Sequence, residues 1–345
     1  MSDSVPDFLN DCTSCARCVP ACPFLETHGS PEDIISNRPD LAFLCTNCKG
    51  CDHRCPLDLS PSSAMFLTKQ SRIEAGKLPD TAAKAIKGAK SFAERGHNAP
   101  FIRYDPLPTA FWPGCSLAGT SPEATEATRR LLETVLGEDV GLAMDCCFDP
   151  LWQMGDTGPV LDACGRIRER LSHAGVERLI VGCANCKKVF DGFMPGVKTS
   201  YVIELLPEDI LDERPDGENL YLHHPCPFYH VEAMAGKTGR IVGLAVNGEM
   251  EEQGSPACCG YGGSLAAQDP DLARLFTEKA VTISSGTTII TSCMGCKNLF
   301  LKNGSKAGHI LELITGLKPK NKAVGSAKKW TNRFALARGK SVKKV

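Results

Sequence analysis

The sequence predicts two unlike regions: an α-helical, cysteine-rich N-terminal region, and behind it a duplicated α/β region. Three observations predict this. Two copies of C-x2-C-x2-C-x3-C-P stand within the first 56 residues, among helix signals rather than strand signals. Five cysteines recur at a nearly constant interval farther along. Short apolar strands end at those cysteines and are separated by helical stretches. At 345 residues and 42% apolar content the chain is long enough for two or three domains with real cores. Its 19 cysteines mean either a secreted disulfide array or an intracellular metal protein. The opening MSDSVPDFLNDC is acidic, with no basic or apolar signal region, and no apolar run reaches the length of a membrane span. The cysteines are therefore expected in a reducing cytoplasm, and their tight grouping suits metal ligation better than disulfide pairing.

Residues 12 to 22 read CTSCARCVPAC before Pro23, and residues 45 to 55 read CTNCKGCDHRC before Pro56. This spacing is the ligand pattern of bacterial two-cluster ferredoxins, in which three cysteines hold one [4Fe-4S] cube and the fourth crosses to the other. A short loop can wrap three corners of a cube but cannot reach the fourth. The pattern assigns Cys12, Cys15, Cys18 and Cys55 to one cubane and Cys22, Cys45, Cys48 and Cys51 to the other. A structural zinc site takes four ligands and does not call for this doubled set. Ser60 and Pro61 read as an N-cap and first-turn pair for SSAMFLTKQSRIEA, which Gly76 ends. SPEDIISNRPDLAFL starts in the same way. Residues 77–108 read as a connector: one helical stretch, TAAKAIKGAKSFAER, then HNAPFIRYDPLP, whose prolines argue against regular structure. A domain boundary near residue 105 follows.

Beyond it, Cys115, Cys146, Cys147, Cys183 and Cys186 are matched by Cys226, Cys258, Cys259, Cys293 and Cys296 at offsets of 111, 112, 112, 110 and 110 residues. The flanks repeat too. RLIVGCANC and TIITSCMGC are each an apolar strand entering C-x-x-C, while TAFWPGC and LYLHHPC are strands ending in the first cysteine. TGPVLDACGRIRERLSHAG and DPDLARLFTEKAVTI supply helices between them. Open α/β sheets place their sites at the carboxyl ends of strands. A cube takes four thiolates, so a fifth cysteine per half, set beside another, suits a cluster that is not a simple cube. Gly260, Gly262 and Gly263 of CCGYGG would let backbone approach the sulfurs and present N–H donors to them.

The arrays C-x30-CC-x35-C-x2-C and C-x31-CC-x33-C-x2-C resemble the cysteine-rich CCG domains of the heterodisulfide reductase family, and PDLAFLCTNCKGCDHRCP resembles its ferredoxin-like subunit. The resemblance covers roughly residues 10 to 315. It implies an α-helical ferredoxin-like domain (1–76) and a connector (77–108), followed by duplicated α/β CCG domains (109–221 and 222–316) and a basic tail (317–345). Fused arrangements of this kind are similar to the membrane-associated heterodisulfide reductase catalytic subunit and to the iron–sulfur subunit of anaerobic glycerol-3-phosphate dehydrogenase. The resemblance further implies two cubane and two noncubane [4Fe-4S] clusters. Cys115, Cys146, Cys147, Cys183 and Cys186 would hold one noncubane cluster, and Cys226, Cys258, Cys259, Cys293 and Cys296 the other. A substrate disulfide would lie between them, flanked by Cys115, Cys146, Cys147, Cys226, Cys258 and Cys259. One departure stands out: Phe148 occupies the position of Gly260, which predicts a differently shaped first cluster if φ > 0 is needed there.

Cys164 falls with Val160, Ile167 and Leu171 on a helical stripe and reads as a buried thiol. His223, His224 and His230 bracket Cys226, and no spacing compels a catalytic role for them. Net charge is only −1, but residues 317–345 hold ten Lys and Arg and no acid, leaving 29 basic against 40 acidic side chains elsewhere. Trp330, Phe334 and Ala337 share one face of this tail, which reads as a solvated segment, as a dock for an acidic partner or, less, as weakly attracted to an anionic membrane surface. Two functions follow: a subunit that passes electrons from the cubanes to a disulfide or thiol substrate, or a relay between a dehydrogenase and a quinone or other redox subunit. No G-x-G-x-x-G fingerprint follows a strand, so a flavin- or iron–sulfur-containing partner is required for two-electron entry, and peripheral membrane association would come through a partner. Nucleic acid is not expected as a ligand.

Overall fold

The computed structural model describes residues 4–208, 210, 219–230, 234–244, 249–254, 256–284 and 286–339. Five helices open the chain: α1 (Val5–Asp11), α2 (Pro23–His28), α3 (Pro31–Asn37), α4 (Pro61–Glu74) and α5 (Asp80–Gly96). Among the described residues no strand precedes Arg103. Proline occupies the first turn of each of the first four, where its missing N–H costs no hydrogen bond. The Ser30 hydroxyl accepts from Asp33 N at 3.2 Å, as the sequence predicts for α3. At α4 the expected Ser60 cap is absent. Asp52 caps the helix instead, accepting from Ser62 N at 2.8 Å and from the Ser62 hydroxyl at 2.7 Å. Because Asp52 lies between Cys51 and Cys55, the second cysteine run is bolted to the helix that follows it.

The first sheet contains β1 (Arg103–Tyr104), β2 (Thr109–Trp112), β3 (Gly141–Met144), β4 (Arg178–Val181) and β5 (Lys198–Tyr201) in the order β1-β3-β2-β4-β5. Only β1 is antiparallel to its neighbour. Helices α6 (Cys115–Thr120), α7 (Pro122–Leu136), α8 (Asp149–Gln153), α9 (Gly158–His173), α10 (Ala184–Phe193) and α11 (Val202–Leu205) connect and follow the strands. The second half has β6 (Leu220–His223), α12 (Met234–Leu244), β7 (Met250–Glu252), α13 (Leu265–Gln268), α14 (Pro270–Ile283), β8 (Thr288–Thr291), α15 (Met294–Lys302), β9 (Ala307–His309) and α16 (Ile310–Ile314). Its parallel order β7-β6-β8-β9 repeats β3-β2-β4-β5, so the duplication read from the cysteines extends to the topology. The crossovers are helical because parallel strands cannot be joined by tight turns.

Several boundaries differ from those the sequence predicts. Arg103 and Tyr104 form a strand paired with β3, since the prolines at 100, 106 and 108 flank the pair without removing its N–H groups. The connector helix α5 buries Ala89 and Ala93 in the core of the first α/β unit. The expected break at 221/222 falls inside β6. The basic C-terminal segment is not a free tail: α17 (Ser326–Ala337) lies on α6, with Asn332, Arg333 and Leu336 buried. Asn332 donates to Gly119 O at 2.8 Å, and Trp330 packs against Phe92 and Phe101 at centroid distances of 5.3 and 4.7 Å. Charge counting alone hides this, because its apolar contacts come from distant segments. The last residues of that segment, 340–345, lie outside the described residues. No described helix is long and apolar enough to cross a membrane.

Truncation after residue 316 should therefore lower the unfolding free energy by on the order of 3 kcal/mol, the burial of one or two large side chains with their hydrogen bonds. Chemical denaturation of the two chains checks this; an unchanged midpoint would mean that α17 contributes nothing to the core.

Candidate metal centres

In each N-terminal run the three residues between the third and fourth cysteines form one 3-10 turn, Val19–Ala21 and Asp52–Arg54. The turn carries the fourth cysteine away from its own loop, which is what a crossing ligand requires. One cavity is lined by Cys22, Cys45, Cys48 and Cys51 together with Phe24, Leu25 and Met65. Another is lined by Cys12, Cys15, Cys18 and Cys55 with Phe8 and Leu59. The structure thus gathers the cysteines into the two crossed sets that the spacing assigns. Ser14, Ala16, Asn47 and Lys49 adopt left-handed φ values of 52° to 64° between the cysteines, curling each loop around its cavity. Asn47 N donates to Cys45 Sγ at 3.4 Å. Burial pushes the Cys18 thiol up to about 11 and raises Cys22 and Cys51 well above the ordinary thiol range. Such thiols need a metal's positive charge to ionise, so the donor set fits iron–sulfur clusters. Among the described residues no three His, Cys, Asp or Glu side chains are arranged to hold a single metal ion.

In the α/β units the cysteines stand at the carboxyl ends of corresponding strands. Cys115 follows β2, Cys146 and Cys147 follow β3, and Cys183 follows β4; Cys226, Cys258 with Cys259, and Cys293 follow β6, β7 and β8. The first cysteine of each C-x-x-C pair caps a helix N-terminus, α10 or α15, where the macrodipole favours a thiolate. Hydrogen bonding from Cys296, with the nearby backbone N–H groups, holds the Cys293 thiol below its usual range. In the first array a hydrogen bond with Cys146 brings the Cys115 thiol down to about 6, assisted by the Arg333 guanidinium and the Ser116 hydroxyl. Cys259 and Cys296 sulfurs lie 3.0 Å apart. Within each array the paired cysteines and the last cysteine are buried, while Cys115, Cys183, Cys226 and Cys293 are half-buried. The two arrays therefore have the same closed side and the same open side.

Gly260 has φ +82°, and a Cβ there would meet Ala273 O at 2.7 Å; its N–H donates to Cys258 Sγ at 3.3 Å. Phe148 keeps the same left-handed turn at φ +60°, so the backbone of the first array is not reshaped by the substitution. The strained Phe148 is held by burial and by an edge-on contact with His97 at 5.3 Å. His97 Nδ1 is 2.6 Å from Asp145 Oδ1, which also accepts from Cys146 N at 2.7 Å. Gly262 and Gly263 do different work from that expected. Bare of Cβ, they approach the N-terminal domain, with Thr46 O 3.0 Å from a Cβ on Gly262 and Cys45 O 3.1 Å from one on Gly263, and Gly263 N donates to Gln153 Oε1 at 2.6 Å rather than to a sulfur.

The sequence did not single out the groups that join the arrays. Lys69 is fully buried and donates to Cys45 O at 2.6 Å and Gln153 O at 2.9 Å. Gln153 Nε2 donates to Asp149 Oδ2 at 2.6 Å, and Asp149 pairs with Lys188 at 2.8 Å. Lys188 in turn lies 3.8 Å from the centre of the Trp152 ring. Tyr261, half exposed, hydrogen-bonds Ser116, next to Cys115, and a Cβ on Gly295, between Cys293 and Cys296, would lie 2.7 Å from its ring. Only the Y inside CCGYGG could have pointed to it. The N-terminal domain meets the second array directly: Cys48 and Cys258 share a hydrogen bond, and Thr46 Oγ1 is 3.2 Å from Cys258 Sγ. Cys164 is buried with Val160, Ile167 and Leu171. His223 packs edge-on against Phe300 and His224 bonds Glu252 at 2.6 Å, while His230 bonds Asn47 O at 2.8 Å. Burial lowers His223 and His230 to about 3, which leaves both uncharged.

Residues 11–60 match the family described as a 4Fe-4S dicluster domain, and residues 109–191 and 220–300 each match the family described as a cysteine-rich domain, CCG. The chain is 25% identical over 357 positions to a fumarate reductase (CoM/CoB) subunit of Methanothermobacter marburgensis, across 89% of this chain and 72% of that protein. It is 29% identical over 231 positions to the glycolate oxidase iron-sulfur subunit of Escherichia coli K12, across 58% of this chain and 56% of that protein. A crystal structure of a hypothetical protein from Helicobacter pylori shares the fold, with a TM-score of 0.57 at 11% identity over 89% of this chain and 65% of the other.

Gln153→Ala should leave the Gly263 N–H and one Asp149 oxygen without their partners, and so cost about 3 kcal/mol of stability. A urea denaturation midpoint checks it; no change would mean that the bridge between the arrays is not part of the stable core.

Proposed function

We propose, from the premise that this chain is an iron–sulfur protein joining a 4Fe-4S dicluster domain to two cysteine-rich CCG domains, that it reduces or oxidises a disulfide or thiol substrate between its two arrays. It is an iron–sulfur electron-transfer subunit of the heterodisulfide reductase-like oxidoreductases, and it works with redox partners. The observation that carries the finer reading is the shared open side. Cys115, Cys183, Cys226 and Cys293 are the half-buried members of their arrays, and Tyr261 joins the two arrays, bonding Ser116 beside Cys115 and packing on Gly295 between Cys293 and Cys296. A disulfide lying against Tyr261 would have one array on each side. That arrangement suits a bond whose cleavage to two thiols takes two electrons and two protons.

Cubanes held by the crossed sets Cys12, Cys15, Cys18, Cys55 and Cys22, Cys45, Cys48, Cys51, and noncubane clusters held by the two five-cysteine arrays, would supply the one-electron steps. The chain's own residues position that traffic. Cys15 is exposed and marks the outward end, while Cys48 touches Cys258 at the inward end. Lys69 and Gln153 hold the N-terminal domain against both arrays, and Lys188 sets a positive charge near Cys226. Asp149 and Trp152 keep the Lys188 ammonium in place. The alternative is a relay between a dehydrogenase and a quinone or other redox subunit, with no substrate between the arrays; one relative is named as the iron-sulfur subunit of an oxidase. A thiol titration separates the two readings.

The reconstituted chain should hold roughly sixteen irons, four for each of four clusters. An iron assay near eight, with visible absorption unchanged by Cys258→Ser, would sink the assignment of the arrays. Adding thiol to the oxidised chain should alter its electron paramagnetic resonance spectrum if substrate binds between the arrays. An unaltered spectrum leaves the relay as the function.

A further inference from the structure

Arg333 is 2% exposed and sits on α17, outside both cysteine-rich domains. A guanidinium is always charged, and burying one without an anion is strongly unfavourable. Its Nη2 donates to Gly96 O at 3.2 Å, but its Nε and Nη1 have no hydrogen-bond partner among the described residues. No carboxylate forms an ion pair with it there either. One face of the group covers the Trp330 ring at 4.7 Å, while Arg95 covers the same ring at 4.5 Å. Aromatic rings attract the cation weakly and do not neutralise it.

What the guanidinium faces is the first cysteine array. A Cβ built on Gly96 would meet Arg333 Nη2 at 2.9 Å, Nη1 at 3.0 Å and Cys146 Cβ at 3.3 Å, so the arginine fork and the Cys146 side chain converge over the one residue that has no side chain to separate them. The field of Arg333 also reaches Cys115. Among the described residues the second array has no counterpart of α17; the Cys258 side is closed by Thr46 and Cys48 of the N-terminal domain.

We propose that Arg333 is the counter-ion of the first array: its free N–H groups face the sulfur-rich centre held by Cys115 and Cys146 and make that centre easier to reduce than its duplicate in the second half. The proposal rests on reading the first array as an iron–sulfur site. Positive charge and N–H donors near cluster sulfurs stabilise the reduced, more negative state. Arg333 touches no substrate and acts as a positioning residue for charge.

The test is a redox titration of the full reconstituted chain followed by electron paramagnetic resonance, with signals assigned to the arrays through Cys146→Ser and Cys258→Ser. Arg333→Gln should lower the equilibrium constant for one-electron reduction of the first-array centre by about tenfold, about 59 mV. The second-array midpoint should stay in place. Arg333→Lys, which keeps the charge but loses the fork, should recover part of the shift. An unmoved first-array midpoint, or both arrays moving together, overturns the proposal. Should Arg333→Gln fail to fold or to hold iron, Gly96→Ala decides, because its methyl displaces the guanidinium while retaining its charge. A first-array shift in the same direction supports the role, and no shift overturns it. A wild-type chain with about eight irons removes the reading of the arrays, and this proposal with it; sixteen irons with an unmoved midpoint removes this proposal alone.

Discussion

Everything in this molecule follows from crowding sulfur into a protein interior. Buried thiolates repel one another and lose hydration, so each must be offset by a metal, a backbone N–H or a cation brought in from elsewhere in the chain. The structure uses all the local devices available. Left-handed loop residues curl the cluster loops around their cavities, and Gly260 N donates to a sulfur. Helices α10 and α15 present their N-termini to the C-x-x-C pairs. The cations Lys69, Lys188 and Arg333 arrive from sequence positions far from the sulfurs they serve.

The duplication has diverged in how each copy is closed. The second array is sealed by the N-terminal domain, through Thr46, Cys48 and the approach of Gly262 and Gly263. The first is sealed by α5 and α17, with His97 and Asp145 behind Cys146 and Phe148. Phe148 is intelligible in this light. A glycine would satisfy the turn with less strain, but the first copy needs a large side chain to fill the space against α5, whereas at Gly260 a Cβ would already collide with Ala273 and Phe276. One backbone turn, required by the paired cysteines, accommodates opposite side-chain demands.

What the sequence made legible was periodic or repeated. The two C-P runs, the near-constant cysteine offsets and the apolar strands ending in C-x-x-C led to the crossed cavities and the doubled strand order because each rests on local spacing. Long-range polar contacts left no such mark. Lys69 lies in what reads as an ordinary amphipathic helix, and nothing near it announces a bond to Gln153 O, 84 residues away. The C-terminal segment misled for the same reason. Its ten positive charges dominate the composition, while the contacts that bury Asn332, Arg333 and Leu336 are made with α6, α5 and β1.

This asymmetry bears on how a pair of similar centres can act on one substrate. Two identical sites flanking a bond would have no preferred order of electron arrival. Here the N-terminal cysteines meet the second array directly, through Cys48 and Cys258, while the first array faces the buried guanidinium of Arg333. On the proposed function, entry through the N-terminal domain at one side and the Arg333 charge at the other would give electrons a direction between the arrays. Lys188, fixed by Asp149 from the first unit yet acting on Cys226 of the second, ties the two fields together. A duplication that kept its cysteines symmetric and its surroundings unequal would, on the proposed function, be suited to carrying charge one way, which a faithful copy would not be.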